Sequence, residues 1–175
     1  MKTHSKVMSF CCGLLALAGC ATYEPMPTVE YVDLERFMGD WYVIAAIPTF
    51  IERGAHNAIE SYRLDSDGAI DTTFTFRDGN FDGDTKVYHP RGYVRAGRGN
   101  AVWGMQFIWP FKADFRIVYL SDDYTHTIIG RNKRDYVWMM ARTPSITAHD
   151  YRHMLKIIAA LGYNPADLQR VPQQW

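Results

Sequence analysis

The chain has 175 residues and a formal net charge of zero, with 47% hydrophobic and 14% aromatic side chains. This length suffices for one domain with a full hydrophobic core, and the apolar content excludes a disordered protein. Because 19 lysine and arginine residues only balance 19 carboxylates, the chain lacks the basic excess that a phosphate backbone attracts. We therefore expect no nucleic-acid partner.

The first twenty residues read MKTHSKVMSFCCGLLALAGC, in which two lysines precede an apolar run from Val7 to Leu17. This run is about half as long as a membrane-spanning helix and predicts a signal peptide. The tetrapeptide Leu17-Ala18-Gly19-Cys20 resembles the bacterial lipobox, whose cysteine is acylated and becomes the mature N-terminus. The resemblance implies lipid attachment at Cys20 and, because Ala21 follows rather than Asp, sorting to the outer membrane. The alternative is an ordinary secretory signal with a cysteine there by chance.

Three segments follow from this interpretation. Residues 1–19 are the predicted signal peptide, which contains the other two cysteines, Cys11 and Cys12, so the mature chain would have no thiol pair and no free catalytic thiol. Residues 20–31 carry two prolines and little apolar pattern, and they predict an acylated N-terminus with an extended tether. Residues 32–175 are the predicted domain.

Short runs of β-forming residues, separated by turn sequences, follow one another through the middle of the chain. Eight of them predict strands: Trp41–Ile47, Ala58–Leu64, Ala69–Phe76, Thr85–Arg95, Ala101–Trp109, Asp114–Leu120, Thr125–Gly130 and Tyr136–Arg142. This spacing is typical of an antiparallel meander.

A helix is then predicted with Thr147 as its N-cap, Gly162 after its end, and an apolar stripe of Tyr151, Met154, Leu155, Ile158 and Leu161. The fold class is therefore mainly β, an eight-stranded up-and-down barrel with a C-terminal helix packed outside.

Three motifs resemble conserved segments of the lipocalin family. Gly39-Asp40-Trp41, after a short predicted helical turn, is similar to the family's G-x-W opening. Residues 120–124 (LSDDY) resemble its second conserved stretch, although the extra Asp leaves open which carboxylate caps the turn. Residues 138–144 (WMMARTP) resemble its third, whose arginine is Arg142 here. In an up-and-down barrel the first and last strands meet, so Gly39, Trp41 and Arg142 are expected at the closed end, with the guanidinium over the indole. Asp123 and Tyr124 complete this structural motif.

The bacterial outer-membrane lipoprotein lipocalins provide the nearest resemblance, through Ile51-Glu52-Arg53-Gly54 and the Trp-Pro-Phe turn of residues 109–111. The resemblance spans Leu34 to the end of the chain. It implies a lipid-anchored domain in the periplasm that stores or transports fatty acids, lysophospholipids or similar hydrophobic molecules.

Strand parity predicts which side chains line the barrel, because alternate residues share a face with Trp41 or Arg142. The expected ligand contacts are Trp138, Tyr136, Met140, Trp103, Met105, Phe107, Tyr62, Glu60 and Phe115. The same parity directs further side chains inward: Val43, Ala45, Ile47, Ala58, Leu64, Ile117 and Tyr119. Such an aromatic and methionine-containing lining suits acyl chains. The alternative is that these residues fill a solid core.

Glu60 is the one charged residue in this set, and it would need a partner, water or a proton if it faced an apolar cavity. A register slip would instead turn Glu60 outward.

Motifs for nucleophiles, phosphate loops and dinucleotides do not occur in the sequence, and we expect a binding protein without a cofactor. His149 and His153 have helical i, i+4 spacing but lack an intervening glutamate base, so two solvated histidines are expected rather than a metal site. The main alternative is a lipid-modifying enzyme that uses Glu60 or Tyr62 as acid or base inside the barrel. A structural lipoprotein with a filled barrel is a third option, and the sequence leaves a homodimer open.

Overall fold

The computed structural model describes residues 24–175, whose strands form one antiparallel sheet that closes on itself. The elements in chain order are α1 (Leu34–Phe37), β1 (Gly39–Ile47), β2 (Ala55–Leu64), β3 (Ile70–Asp78), β4 (Thr85–Tyr88), β5 (Arg91–Val94), β6 (Val102–Ile108), β7 (Phe111–Leu120), β8 (His126–Gly130), β9 (Val137–Ala141), α2 (Ala148–Ala160), a 3₁₀ turn (Pro165–Asp167) and β10 (Gln169–Arg170). Successive strands pair from β1 to β4 and from β5 to β9, β5 pairs with β3, and β9 pairs back with β1. Because β4 and β5 both pair with β3 and occupy one place in the wall, the barrel has eight strands, as predicted.

The predicted fourth strand is broken in two. His89 and Pro90 separate β4 from β5, and proline has no N–H for the β-ladder, which explains the break. The carbonyl of Pro90 still accepts a hydrogen bond from the Thr72 N–H at 3.2 Å. The wall therefore stays closed at this point.

Bulges in β1 and β7 change the parity that a regular strand would have. Ile44 is an extra residue in the ladder between β1 and β9, and Val118 is an extra residue between β7 and β8. Each extra residue turns the side chains beyond it to the opposite face. The inward orientation expected for Ala45, Ile47 and Tyr119 is therefore wrong, and all three pack on the outside of the barrel.

The outer face of the wall is covered by α2, as the apolar stripe predicted. Met154 and Ile158 are buried against the barrel, in a cluster that includes Ile128 and Met139. The hydroxyl of Thr147 accepts a hydrogen bond from the N–H of Asp150 and so caps the helix. A separate cluster fills the barrel interior.

The C-terminal segment, residues 169–175, inserts between β1 and β2, which the sequence did not predict. β10 pairs with β1, and the Pro172 carbonyl accepts a hydrogen bond from the Asn57 N–H of β2 at 2.8 Å. The amide of Gln173 donates to the carbonyls of Val43 and Ala58 and so joins the two strands. The segment thus forms hydrogen bonds with β1 and β2 where these two strands no longer pair with each other.

Residues 24–31, expected to belong to an extended tether, lie along the barrel wall. Met26 is buried and its N–H donates to the side chain of Asn132 at 2.8 Å. Further on, the N–H of Val29 donates to the carbonyl of Ile117. The packed domain therefore begins several residues earlier than predicted, whereas Cys20 and the predicted signal peptide lie outside the described residues.

Within residues 24–175, no helix has the length and apolar character needed to cross a membrane.

Candidate functional site

The closed half of the barrel is a solid aromatic core. The ring of Phe37 from α1 lies 5.0 Å from that of Trp41 and 5.5 Å from that of Trp103. Trp103 in turn stacks on Phe115 at 4.9 Å, and Tyr62 packs edge-on against Trp103. These rings leave no room for a ligand at this end, so the closed half of the barrel is structural.

Arg142 covers this core from outside. Its guanidinium carbon lies 3.9 Å from the centre of the Trp41 ring. Its nitrogens donate to the carbonyls of Asp40 at 2.9 Å, Arg36 at 2.8 Å and Phe37 at 3.0 Å. A planar group with five donors can satisfy several carbonyls of a tight turn while it stacks on an indole. The closed-end arrangement has the geometry that the three motifs predicted.

Gly39 permits the turn from α1 into β1. Its φ is +92°, a left-handed conformation that residues with a Cβ rarely adopt. A Cβ at this position would make only ordinary van der Waals contact with the Nη1 atom of Arg142, at 3.4 Å. Glycine is therefore needed for the backbone of the turn and not to make room for the arginine.

The turn between β7 and β8 supports the same end of the barrel. The Asp123 carboxylate accepts hydrogen bonds from the Ser121 hydroxyl at 2.6 Å and from the Thr125 N–H at 3.1 Å. These hydrogen bonds lower the pKa of Asp123 to about 2. Asp123 rather than Asp122 therefore caps this turn, and the Tyr124 hydroxyl accepts from the backbone N–H of Asp33.

A cavity of about 390 Å³ occupies the open half of the barrel, a volume within the range of small-molecule sites. Its lining residues are Thr49, Phe50, Ile51, Glu52, Glu60, Phe74, Tyr88, His89, Pro90, Met105, Phe107, Ile108, Ala113, Asp114, Phe115, Arg131 and Trp138. The walls are mainly apolar. The interior of the barrel is therefore solid in one half and hollow in the other, so each of the two alternatives from the sequence describes one half.

Five of the nine predicted ligand contacts line this cavity: Trp138, Met105, Phe107, Glu60 and Phe115. Three others, Trp103, Tyr62 and Met140, are buried in the interior core instead. Tyr136 precedes β9, where its carbonyl accepts a hydrogen bond from Tyr163 and its ring lies beside Arg131. The expectation that these four residues line the pocket is corrected. Strand parity correctly placed the three core residues on the inner face. It could not show that they lie in the solid half of the barrel rather than beside the cavity.

Three carboxyl groups line the cavity, those of Glu52, Glu60 and Asp114, of which Asp114 is paired with Arg116. Glu60 faces inward, where burial raises its pKa to about 7 against a hydrogen bond from Tyr62 that lowers it. Its remaining accessible surface faces the cavity. Burial likewise raises the pKa of the Tyr62 hydroxyl, which keeps it a hydrogen-bond donor. Burial raises the pKa of Glu52 as well. The bottom of the cavity thus carries an acid whose pKa lies near neutral pH.

Glu52 also fixes the loop over the mouth. It belongs to the segment between β1 and β2, and its carboxylate accepts hydrogen bonds from the Trp138 indole N–H and the Thr49 hydroxyl, both at 2.8 Å. These contacts hold Phe50 and Ile51 at the edge of the cavity. Trp138 is therefore both a wall residue and an anchor for this loop.

Several cavity residues were not identified from the sequence. Phe74 on β3 lines the cavity and shares with Phe76 of the interior core the period-two spacing of inward residues, which was a usable signal. Tyr88, which also lines the cavity, stacks against both rings. Glu52 lies in the Ile51-Glu52-Arg53-Gly54 motif, which predicted no role for it. Residues contributed by loops and strand ends, such as His89 and Arg131, had no periodic signal.

His149 and His153 lie on exposed positions of α2. Among residues 24–175, no group of three or more histidine, cysteine, aspartate or glutamate side chains has a metal-binding arrangement.

Comparisons with known proteins agree with this architecture. A family model described as a lipocalin-like domain matches residues 32–173. The chain is 27% identical over 162 residues to temperature-induced lipocalin-1 of Arabidopsis thaliana, which covers 86% of this chain and 84% of that protein. It is 26% identical over 161 residues to outer membrane lipoprotein Blc of Escherichia coli K12, which covers 85% of each.

Solved structures show the same fold at lower identity. Insecticyanin from the tobacco hornworm Manduca sexta superimposes with a TM-score of 0.68 at 12% identity, over 85% of each chain. The cockroach allergen Per a 4 gives a TM-score of 0.67 at 15% identity, over 87% of this chain and 96% of that one. With the family model matching most of its length, the chain belongs to the lipocalin family.

Proposed function

We propose that this lipocalin is an outer-membrane-anchored carrier that binds the acyl chains of fatty acids or lysophospholipids in its open-end cavity. The observation that carries this proposal is the apolar cavity of about 390 Å³ above a solid closed end. Family membership supports binding of a small hydrophobic ligand. The relatives whose names include an outer membrane lipoprotein support the proposed location.

The charges in the cavity favour a ligand that enters tail first. Glu60 and Glu52 lie inside, and each would repel an acidic head group whenever it is ionised. Arg131 and His89 also line the cavity, and each offers donors to a carboxylate or phosphate. An acyl chain therefore occupies the apolar interior, and its acidic head group lies by Arg131 and His89.

A substitution that fills part of the cavity tests this function. Ala113 lines the cavity on β7, and Ala113→Phe would fill the space of part of an acyl chain without displacing a core residue. We expect at least a tenfold weaker affinity for a fluorescent fatty acid, with little change in Tm. Competition by unlabelled palmitate and lysophosphatidylethanolamine would measure both ligand classes.

Val87→Phe is the matched control, because Val87 is an exposed residue on β4 and receives the same added bulk. Its affinity should equal that of the wild type. A wild-type protein with no saturable binding of either lipid would exclude the carrier function, and equal binding by the Ala113→Phe variant would exclude this cavity.

The anchor is tested at Cys20. Cys20→Ser removes the thiol that a lipobox cysteine uses for acylation, so we expect complete loss of labelling by radioactive palmitate and accumulation of unprocessed or released protein. Intact-mass measurement of the wild type should show a chain that begins at Cys20 and carries acyl groups. A wild-type chain without acyl groups would contradict the anchor.

A lipid-modifying enzyme is a second candidate, favoured by one observation. The pKa of Glu60, about 7, suits a general acid or base inside a lipid-sized cavity. The hydroxyl of Tyr62 donates a hydrogen bond to this carboxyl, so the two side chains also have a structural role inside the barrel. Recovery of bound lipid by mass spectrometry after prolonged incubation separates the candidates: unchanged lipid indicates a carrier, and a modified product indicates an enzyme.

A further inference from the structure

The rim of the open end carries a cluster of exposed large apolar side chains. Phe50, Ile108, Trp109 and Phe111 are 73–82% exposed. Phe50 and Ile108 line the same cavity. Trp109 follows Ile108 in the turn between β6 and β7, and Phe111 pairs with Ile108 across this turn. We call these four residues the apolar rim. Large exposed apolar side chains grouped around the mouth of one cavity indicate a binding surface rather than ordinary surface residues.

The described chain begins beside this rim. The carbonyl of Glu24 accepts a hydrogen bond from Arg134, and the N–H of Met26 donates to Asn132, both in the loop between β8 and β9. This loop follows the end of β8 and precedes the start of β9, so it lies at the open end. The N-terminal segment therefore reaches the barrel at its mouth and not at its closed end.

Hydrogen bonds connect the N-terminal segment with the hairpin between β6 and β7 that carries three of the rim residues. The N–H of Asn132 donates to the carboxylate of Asp114 at 2.8 Å. Asp114 is three residues from Phe111 along β7, about 10 Å at the rise of a strand. Glu24 and the three rim residues of the hairpin between β6 and β7 thus lie on the same side of the mouth.

Cys20 precedes Glu24 by four residues, which span at most about 14 Å when fully extended. On the proposed function, the acyl groups on Cys20 lie in the membrane. We propose that the apolar rim docks into the lipid surface that holds this anchor, so that the cavity opens onto the bilayer and exchanges acyl chains with it directly. The proposal rests on the lipid anchor of the proposed function but adds an orientation and a binding surface.

The character of the rim fits a lipid surface better than a second copy of the chain. Trp109 and Phe111 project from a hairpin tip, a convex shape that needs a hollow in a protein partner but not in a fluid bilayer. Aromatic side chains are preferred at the membrane interface. Arg53 is exposed in the loop between β1 and β2, and Lys133 is exposed in the loop between β8 and β9. Both loops lie at the open end, where these cations can contact anionic head groups.

Tryptophan quenching tests the orientation. The acylated protein would be reconstituted into vesicles of phosphatidylethanolamine and phosphatidylglycerol that contain phosphatidylcholine brominated on its acyl chains. The cavity would be saturated with palmitate, so that brominated lipid does not reach Trp138. We expect quenching in the wild type, and Trp109→Phe should remove at least half of the quenched signal.

Trp175→Phe is the matched control. Trp175 is 67% exposed but packs edge-on against Tyr42, in the half of β1 away from the mouth. This variant should keep the wild-type quenching. Neither substitution is expected to alter the fold, because both side chains are largely exposed, and circular dichroism would check this.

The outcomes separate the orientation from the proposed function. Equal quenching in the wild type and in Trp109→Phe, or no quenching of acylated wild type, overturns docking even if palmitate binds. A dimer in sedimentation that Trp109→Phe dissociates would assign the rim to a second copy and also overturn it. Quenching at Trp109 in a protein that binds no fatty acid would support docking while excluding the carrier. An unacylated wild-type chain, seen by intact mass, would remove the anchor on which the orientation rests.

Discussion

Replacement of Arg142 by alanine is expected to lower the free energy of unfolding by about 3 kcal/mol. The substitution removes a cation–π contact with Trp41 at 3.9 Å, worth about 0.5–2 kcal/mol. It also leaves the carbonyls of Arg36, Phe37 and Asp40 without their charged donor, and a hydrogen bond to a charged group contributes about 1.5–3 kcal/mol where water does not replace it. Urea unfolding of both proteins at one pH would measure the difference.

Lysine at this position should recover little of the loss, because a single ammonium cannot stack as a plane and donate to three carbonyls together. Arg36→Ala is the matched control. Arg36 also lies over an aromatic ring, Tyr124, at 4.0 Å, but it is exposed, so its removal should cost about 0.5–1 kcal/mol. Arg142→Lys with wild-type stability would show that Arg142 acts as a surface charge and not as a planar cap.

The closed end could be predicted from the sequence because its signals are local. Gly39, Trp41 and Arg142 lie in short motifs at the start of the first strand and at the end of the last, and closure of an up-and-down barrel brings these two strands together. The eight strands and the helix were likewise visible as periodic patterns. Such features depend on a few residues each and not on the exact register of the whole sheet.

The cavity was harder to predict because its boundaries depend on depth and on loops. Parity correctly placed Met105 and Trp138 on the inner face, but it placed Trp103 there as well and could not show that Trp103 lies in the solid half. The bulge at Ile44 reversed the parity of the residues after it, and a single extra residue leaves no trace in an apolar run such as Tyr42–Ile47. The loop that carries Glu52 over the mouth has no period at all.

Glu60 shows how the solid and hollow halves of the barrel meet, and it gives the last prediction. Its carboxyl accepts a hydrogen bond from Tyr62 of the core below, while its accessible side faces the cavity. Burial raises its pKa in the folded protein from 4.5 to about 7. Between these two pH values the folded state holds a proton that the unfolded state has released, so stability falls as the pH rises through this window.

We therefore expect Glu60→Gln to be more stable than the wild type at pH 8 by up to about 3 kcal/mol, because each tenfold change in proton affinity corresponds to about 1.4 kcal/mol. Glutamine keeps an acceptor for Tyr62 but carries no charge to bury. At pH 4.5 and below the two proteins should differ little, since the wild-type carboxyl is then protonated in the folded state. Urea unfolding at intervals from pH 4.5 to 8 would trace the difference, and Glu35→Gln, an exposed substitution of the same type in α1, should leave the pH dependence of the wild type unchanged. A constant difference between Glu60→Gln and the wild type across this range would mean that water in the cavity solvates the carboxylate, and that the bottom of the cavity is polar rather than suited to the end of an acyl chain.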